Sequence, residues 1–148
     1  MQGQVWWITG ASSGIGAALA RALAEEGARL ILSGRNVAAL EAVAADCGDT
    51  LILPFEATDT TALPALVEQA WGWAGRVDGI VNNAGISQRS LAVDTDLAVY
   101  EKIIAVDLLA PIAFAQANLP RLLAAGGGHV VAISSVAGLA GVPLRTAY

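Results

Sequence analysis

The sequence is poor in the residues that build cross-linked, metal-bound or strongly basic proteins. Among its 148 residues there is one cysteine, Cys47, so neither a disulfide framework nor a thiolate metal cluster can form. Only 14% of the residues are charged and the net charge is −5, and no basic patch of the kind that binds nucleic acid is visible. We interpret Cys47 as a small apolar filler, and we predict no metal site and no nucleic-acid partner.

Long uninterrupted apolar runs are also absent. No stretch of about eighteen residues lacks a polar break, since Asp107 interrupts the longest one, and only four residues precede the first predicted strand. We therefore expect no membrane partner, no signal peptide and a soluble, cytoplasmic protein. Hydrophobic residues still make up 55% of the chain, and 148 residues suffice for one domain with a real core. This balance suits an α/β domain whose central strands are buried on both faces.

A glycine-rich turn stands between a predicted strand and a predicted helix near the start of the chain. The apolar run Val5–Ile8 leads into Thr-Gly-Ala-Ser-Ser-Gly-Ile-Gly at Thr9–Gly16, and a helical pattern over Ala17–Glu26 leads out. Glycine lets the backbone turn sharply and lie close to a ligand, and the unpaired N–H groups of a helix start suit a phosphate. We expect the N–H groups of Ser13–Ile15 to face one point, although a tight turn without a ligand has the same pattern. No lysine follows the last glycine, which excludes a nucleoside-triphosphate loop.

Strands and helices alternate along the rest of the chain. Further strands are predicted at Arg29–Ser33, Thr50–Leu53, Asp78–Val81 and His129–Ile133. Helices are predicted at Val37–Ala45 with Asn36 as its cap, from Asp59 or Thr60 to about Trp73, and as one long region over Asp94–Leu123. Right-handed crossovers then give a Rossmann-type, doubly wound parallel sheet of strand order 3-2-1-4-5. The ligand crevice is expected beside the first and fourth strands, where the order reverses.

An arginine occupies the position that usually chooses the cofactor in a dinucleotide-binding fold. There, an acidic residue about 20 residues beyond the glycine turn binds the ribose 2′-hydroxyl. This sequence has no acid at that position and has Arg35 instead, whose guanidinium can hold a 2′-phosphate. The pattern favours NADP over NAD, while a solvent-exposed arginine at a strand end is the alternative interpretation.

Taken together, these motifs resemble the short-chain dehydrogenases/reductases. Thr9-Gly10-x-x-x-Gly14-Ile15-Gly16 is similar to the family's cofactor signature, and Asn82-Asn83-Ala84-Gly85 matches a second family motif residue for residue. Glu56 and Ala57 stand where the family usually has Asp-Val beside the adenine. The resemblance implies that residues 1–148 form a single NAD(P)-binding domain that lacks the family's last strands. The cofactor-binding residues that it implies are Gly10, Ser12, Ser13, Gly14, Ile15, Gly16, Arg35, Glu56, Ala57, Asn83, Ala84 and Gly85.

The resemblance also implies a catalytic pair. Ser135 stands thirteen residues before Tyr148, as the family's catalytic serine and tyrosine do, and the family has a lysine four residues after the tyrosine. In the family the tyrosine gives a proton to the substrate carbonyl, the serine holds the same oxygen, and the lysine lowers the tyrosine pKa. The sequence ends at Tyr148, so we expect residues 1–148 alone to be neither a stable nor an active enzyme.

Asp107 is the third candidate catalytic residue. Pro111 has no N–H to offer the carbonyl four residues before it, so the Asp107 carbonyl is predicted to leave the helical ladder. The family carries an asparagine at this position, in a helix kink whose free carbonyl holds a catalytic water. A kinked packing helix without a catalytic role is the alternative.

These patterns predict an NADP(H)-dependent oxidoreductase that transfers a hydride between the nicotinamide and a carbonyl or secondary alcohol of a small molecule. The resemblance further implies a homo-oligomer when the protein is complete. A non-catalytic nucleotide-binding module or sensor remains the alternative. A methyltransferase with a glycine-rich turn is disfavoured by Arg35 and by the Ser135/Tyr148 pair.

Overall fold

The strands of the computed structural model, which describes residues 1–148, form one parallel sheet. Its members are β1 (Val5–Thr9), β2 (Arg29–Ser33), β3 (Thr50–Ile52), β4 (Gly79–Asn82) and β5 (His129–Ala132). Their order is β3-β2-β1-β4-β5, and every neighbouring pair is parallel. The predicted order 3-2-1-4-5 is therefore confirmed. Its reversal lies at β1 and β4, where Trp7 pairs with Ile80.

The helices are α1 (Gly14–Glu25), α2 (Val37–Ala44), α3 (Leu63–Ala74), α4 (Leu97–Ile104) and α5 (Ala110–Ala124). Local sequence signals fix several of their ends. Asn36 caps α2 by accepting the Ala39 N–H at 3.1 Å. Gly27 follows α1 with φ +80, and Gly75 ends α3 with φ +76, both in the left-handed region that glycine tolerates best. None of the helices has the length and apolar character that crossing a bilayer would take.

The prediction of one helical region over Asp94–Leu123 is wrong in its start, whereas the irregularity predicted at Asp107–Pro111 is present. Asp96 has an extended backbone, with ψ 147, so α4 begins only at Leu97. A π-helical turn, Ala105–Leu109, joins α4 to α5, and the Ala110 N–H bonds to the carbonyl of Ala105, five residues back. Pro111 comes directly after this turn and cannot donate to the Asp107 carbonyl, so an unbroken α-helical ladder cannot pass this point.

Side chains on the two faces of the sheet form two separate apolar cores. Along β1, Val5 and Trp7 face one core with α3 and α5, while Trp6 and Ile8 face the other with α1 and α2. The Trp7 ring packs edge-on against Phe114, 4.8 Å between centroids. Covering both faces leaves the carboxyl ends of β1 and β4 as the open edge, where the functional residues are predicted to lie.

Cys47, which we interpreted as an apolar filler, and His129 both have packing roles. The His129 ring stacks on Trp6 at 5.7 Å, at the start of β5 and away from the crevice. Cys47 is buried against the α1–α2 side of the sheet, and burial raises the pKa of its thiol above the ordinary value. A buried thiol with a raised pKa is a poor nucleophile.

Candidate functional site

The glycine-rich turn comes into direct contact with the loop that follows β4. Gly10 has φ +65, and a Cβ there would lie 2.8 Å from the Ala84 Cα. A Cβ on Gly16 would lie 2.3 Å from the Gly10 carbonyl oxygen. The Asn83 side chain donates to the carbonyls of Thr9 at 3.0 Å and Gly10 at 3.2 Å. Glycine is therefore needed at positions 10 and 16 for space, and Asn83 joins the two motifs into one unit.

The start of α1 leaves backbone donors without partners. Ala17 is the first residue of the helix whose N–H bonds inside the protein, to the Ser13 carbonyl at 3.2 Å. The N–H groups of Ser13, Gly14 and Ile15 have no acceptor within the protein, and Ser13 does not cap the helix with its side chain. α1 also begins at Gly14, three residues before the predicted start, because first-turn residues take helical geometry while their N–H groups remain unpaired. Such a helix start is suited to an anion.

Thr9 holds the two strand ends in place, a role that the sequence reasoning missed. Its hydroxyl donates to the Val81 carbonyl at 3.2 Å and accepts the N–H groups of Asn83 at 3.0 Å and Ala84 at 3.1 Å. A single buried hydroxyl therefore satisfies three backbone groups at the end of β4. A threonine ending an otherwise apolar strand was the available signal.

A cleft of about 1000 Å³ runs along the carboxyl ends of the strands. The predicted cofactor-binding residues that line it are Gly10, Ser12, Ser13, Ile15, Arg35, Glu56, Ala57, Asn83, Ala84 and Gly85. Gly14 and Gly16 shape the turn from outside this lining. The structure thus gathers residues from the loops after β1, β2, β3 and β4 around one elongated cavity.

Two cationic side chains line this cleft, Arg35 from the loop after β2 and Lys102 from α4. Arg35 is 66% exposed, and its Nη1 lies 3.5 Å from Glu56 Oε2, a long and solvated ion pair. Lys102, the only lysine of the chain, lines the same cleft and has no carboxylate within ion-pair distance. The sequence did not lead us to predict Lys102. The available signal was its helical spacing with Val99 and Val106, which line the same cleft.

A second cleft of about 530 Å³ adjoins the first and contains the three predicted catalytic residues. Asp107, Ser135 and Tyr148 line it, and its wall shares residues 83–87 with the larger cleft. The Ser135 hydroxyl accepts the Ala137 N–H at 3.2 Å, which leaves its own hydrogen free to donate. Tyr148 is 45% exposed and its hydroxyl has no partner in the protein. Two hydroxyl donors thus line one cleft beside the larger cleft.

Asp107 joins the π-helical turn to the loop after β4. Its Oδ1 accepts the Ile86 N–H at 2.8 Å. Burial raises the pKa of the Asp107 carboxyl above its ordinary value, and the hydrogen bond from Ile86 opposes that rise. The Asp107 side chain therefore holds the shared wall of the two clefts, a contact that the sequence did not predict. No three or more His, Cys, Asp or Glu side chains lie together in a way that could hold a metal ion.

Comparison with known proteins gives one consistent family. The family model described as short chain dehydrogenase matches residues 4–148. The human protein named Dehydrogenase/reductase SDR family member 7 is 40% identical, over 97% of this chain and 45% of its own length. A ketoacyl reductase of Nostoc sp. is 36% identical, over 100% of this chain and 53% of its own length. The chain therefore spans about half the length of the curated relatives that it matches.

Solved structures give the same result for the fold. Levodione reductase superposes with a TM-score of 0.95 at 30% identity, covering 100% of this chain and 60% of the reductase. A metagenomic short-chain oxidoreductase, solved in complex with NADP, superposes with a TM-score of 0.90 at 38% identity, covering 99% of this chain and 69% of that protein. With the family model matched over residues 4–148, the chain belongs to the short-chain dehydrogenase/reductase family.

Proposed function

We propose that the protein is an NADP(H)-dependent oxidoreductase that interconverts a carbonyl and a secondary alcohol on a small molecule. The observation that carries the proposal is the adjacency of the two clefts. One cleft begins at the unpaired N–H groups of Ser13–Ile15, and the other holds the hydroxyls of Ser135 and Tyr148. A dinucleotide lying in the first cleft would bring its reactive end to the shared wall.

The charge of the larger cleft supports NADP over NAD. The carboxylate that would accept the ribose 2′-hydroxyl of NAD is absent at position 35, and Arg35 is exposed beside the cleft. Glu56 alone would repel a phosphate, but its pairing with Arg35 reduces that repulsion. The NADP in the structure of the metagenomic relative, 38% identical to this chain, is consistent with the same choice.

We assign the proton transfer to Tyr148. Bound NADPH would supply the hydride. The Tyr148 hydroxyl donates its proton to the carbonyl oxygen, and the Ser135 hydroxyl donates a hydrogen bond to the same oxygen.

Asp107 acts in this proposal through its backbone. Its carbonyl cannot receive the usual helical hydrogen bond from residue 111, which is proline, and in this proposal it holds a water beside Tyr148. The Asp107 side chain, already bonded to the Ile86 N–H, positions the wall of the cleft. An asparagine at this position would keep both functions.

The test compares Tyr148→Phe with wild type in the full-length protein, called the full chain below. Tyr100→Phe is the control. Tyr100 is the other tyrosine and lines neither cleft. With NADPH and a set of ketones and aldehydes, Tyr148→Phe should lower kcat by about 10²-fold or more, the usual contribution of a positioned acid. Its affinity for NADPH should stay within about two-fold of wild type, since the hydroxyl contacts the substrate.

The main alternative is a nucleotide-binding module without catalysis. It predicts tight NADPH binding with no turnover of any carbonyl substrate in the wild-type protein. Wild-type activity that Tyr148→Phe leaves intact would instead remove Tyr148 from the proposed mechanism.

The proposal extends to a homo-oligomer of the protein. Leu108, Leu109, Ile112 and Leu123 are exposed apolar side chains on the π-helical turn and α5. Apolar surface of this kind favours association with a further copy. Light scattering of the full chain should give a mass above that of the monomer, and a monomer at micromolar concentration would contradict this part.

A further inference from the structure

Two segments far apart in the sequence are fastened together beside Tyr148. The first is the loop Ser87–Thr95, which follows the Asn-Asn-Ala-Gly motif, and the second is the segment Leu144–Thr146. The Ser90 N–H donates to the Leu144 carbonyl at 3.1 Å, and the Gln88 side chain donates to the Thr146 hydroxyl at 2.7 Å. We call this set of contacts the loop clamp.

Arg145 makes two further contacts of the loop clamp, both through its charged guanidinium. Its Nη1 donates to the Ser87 hydroxyl at 2.6 Å and to the Gln88 carbonyl at 2.8 Å. No carboxylate lies within ion-pair distance of its guanidinium, so its charge is directed only at these neutral acceptors. Hydrogen bonds from a charged donor are roughly twice as strong as neutral ones.

The backbone of Arg145 also contacts Tyr148. The Tyr148 N–H donates to the Arg145 carbonyl at 3.4 Å. Leu144, directly before Arg145, has φ +66 and is the only non-glycine residue of the chain with a positive φ. A bulky side chain keeps that conformation only where its surroundings impose it. The Ser90 N–H bonds to the Leu144 carbonyl, and the Arg145 side chain anchors the residue that follows Leu144.

The far end of the loop clamp reaches the place where the two clefts meet. Ser87 lines both of them, whereas Gln88 lines only the larger one. The guanidinium of Arg145 therefore connects the wall shared by the clefts to the segment that carries Tyr148. A shift of that segment would move the Tyr148 hydroxyl relative to any substrate held against the wall.

We propose that Arg145 is a positioning residue, which sets the placement of the Tyr148 hydroxyl by bonding to Ser87 and Gln88. This inference rests on the proposed function, since it assigns Tyr148 the proton transfer. Arg145 acts through Tyr148 and lines neither cleft itself. Loss of its bonds should therefore change the rate of the chemical step and leave nucleotide affinity unchanged.

The kinetic test uses Arg145→Ala, Arg145→Lys and Ser87→Ala in the full chain. Arg89→Ala is the matched control, since Arg89 is exposed in the same loop and makes no hydrogen bond or ion pair. Arg145→Ala should lower kcat at least ten-fold, because a displacement of about 1 Å can cost 10²-fold in rate. Its Kd for NADPH should stay within about two-fold, Arg145→Lys should recover part of the rate, and Arg89→Ala should match wild type.

The loss of kcat in the double variant tests whether Ser87 is the partner through which Arg145 acts. Ser87→Ala should lower kcat less than Arg145→Ala does, and adding it to Arg145→Ala should cause almost no further loss, since the bond is already gone. A kcat within two-fold of wild type for Arg145→Ala would overturn the proposal. So would a loss of nucleotide affinity equal to the loss of kcat, because that would indicate general damage to the fold.

Amide hydrogen exchange tests the loop clamp without substrate or cofactor. The Ser90 N–H should exchange at least ten-fold faster in Arg145→Ala than in wild type, and unchanged exchange would overturn the proposal. Should Arg145→Ala fail to fold, Arg145→Lys and Ser87→Ala carry the same comparison. If the wild-type full chain reduces no carbonyl substrate, the proposed function fails by itself, and the exchange rate alone decides whether the loop clamp exists.

Discussion

Replacing Gly16 with alanine tests the contact between the glycine-rich turn and the loop after β4. Gly16 is buried in the first turn of α1, and its φ is not positive, so only the available space opposes a side chain. The added Cβ would lie 2.3 Å from the Gly10 carbonyl oxygen and 2.5 Å from Asn83 Nδ2. Since ordinary van der Waals contact begins at 3.4 Å, the turn must move by about 1 Å.

The expected cost follows from these contacts. Overpacking of this kind costs about 1–3 kcal/mol, and displacing Asn83 from the Gly10 carbonyl removes a hydrogen bond worth about 1 kcal/mol. The higher helix propensity of alanine returns at most about 1 kcal/mol. We therefore expect Gly16→Ala to lower the free energy of unfolding by about 1–3 kcal/mol. NADPH affinity should fall at least ten-fold, because the turn that offers the unpaired N–H groups is displaced.

Gly72→Ala is the matched control. Gly72 lies within α3, and nothing stands within 4 Å of an added Cβ. This variant should gain about 0.5–1 kcal/mol from helix propensity and bind NADPH as wild type does. Urea unfolding followed by tryptophan fluorescence, together with titration of NADPH, measures both quantities in the full chain. Equal stability and equal nucleotide affinity for the two variants would refute the steric reasoning.

Two further substitutions test the charges of the clefts. Arg35→Asp should shift the ratio of kcat/KM for NADPH over NADH towards NADH by at least ten-fold, since it removes the partner of the 2′-phosphate and supplies an acceptor for the ribose; an unchanged ratio would remove Arg35 from cofactor selection. Asp107→Asn should keep kcat within about an order of magnitude, because the backbone carbonyl and the acceptor for the Ile86 N–H remain. The raised pKa of Asp107 means that its ionised form costs stability above its ordinary pKa, so Asp107→Asn should have the higher Tm at pH 7. That difference should shrink as the pH falls from 7 towards the ordinary carboxyl pKa of about 4 and vanish below it, and a difference independent of pH would contradict the assignment to ionisation.

Features set by short stretches of sequence were predictable. The strand–turn–helix pattern around Thr9–Gly16 and the alternation of apolar strands with helices are local, and the strand order then follows from the handedness of the crossovers. The cap at Asn36 and the glycine after α1 are likewise set by neighbouring residues. These elements were predicted with end points within a few residues of those observed.

Contacts between distant loops were not predictable from the same signals. The bond from Ile86 to Asp107 spans 21 residues, and the bond from Arg145 to Ser87 spans 58. No local propensity specifies either partner, because each depends on how the loops pack above the finished sheet. The π-helical turn shows the same limit, since Pro111 indicated a break in the ladder but not the form that the break takes.

Isotope transfer tests the proposed reaction most directly. The full chain is incubated with a ketone substrate and NADPH that carries deuterium at the reactive nicotinamide carbon, and the alcohol product is analysed by mass spectrometry. We predict that deuterium appears on the carbinol carbon, with a rate that Tyr148→Phe lowers by about 10²-fold. Bound NADPH whose deuterium never reaches a carbonyl substrate would contradict an oxidoreductase and support a nucleotide-binding module.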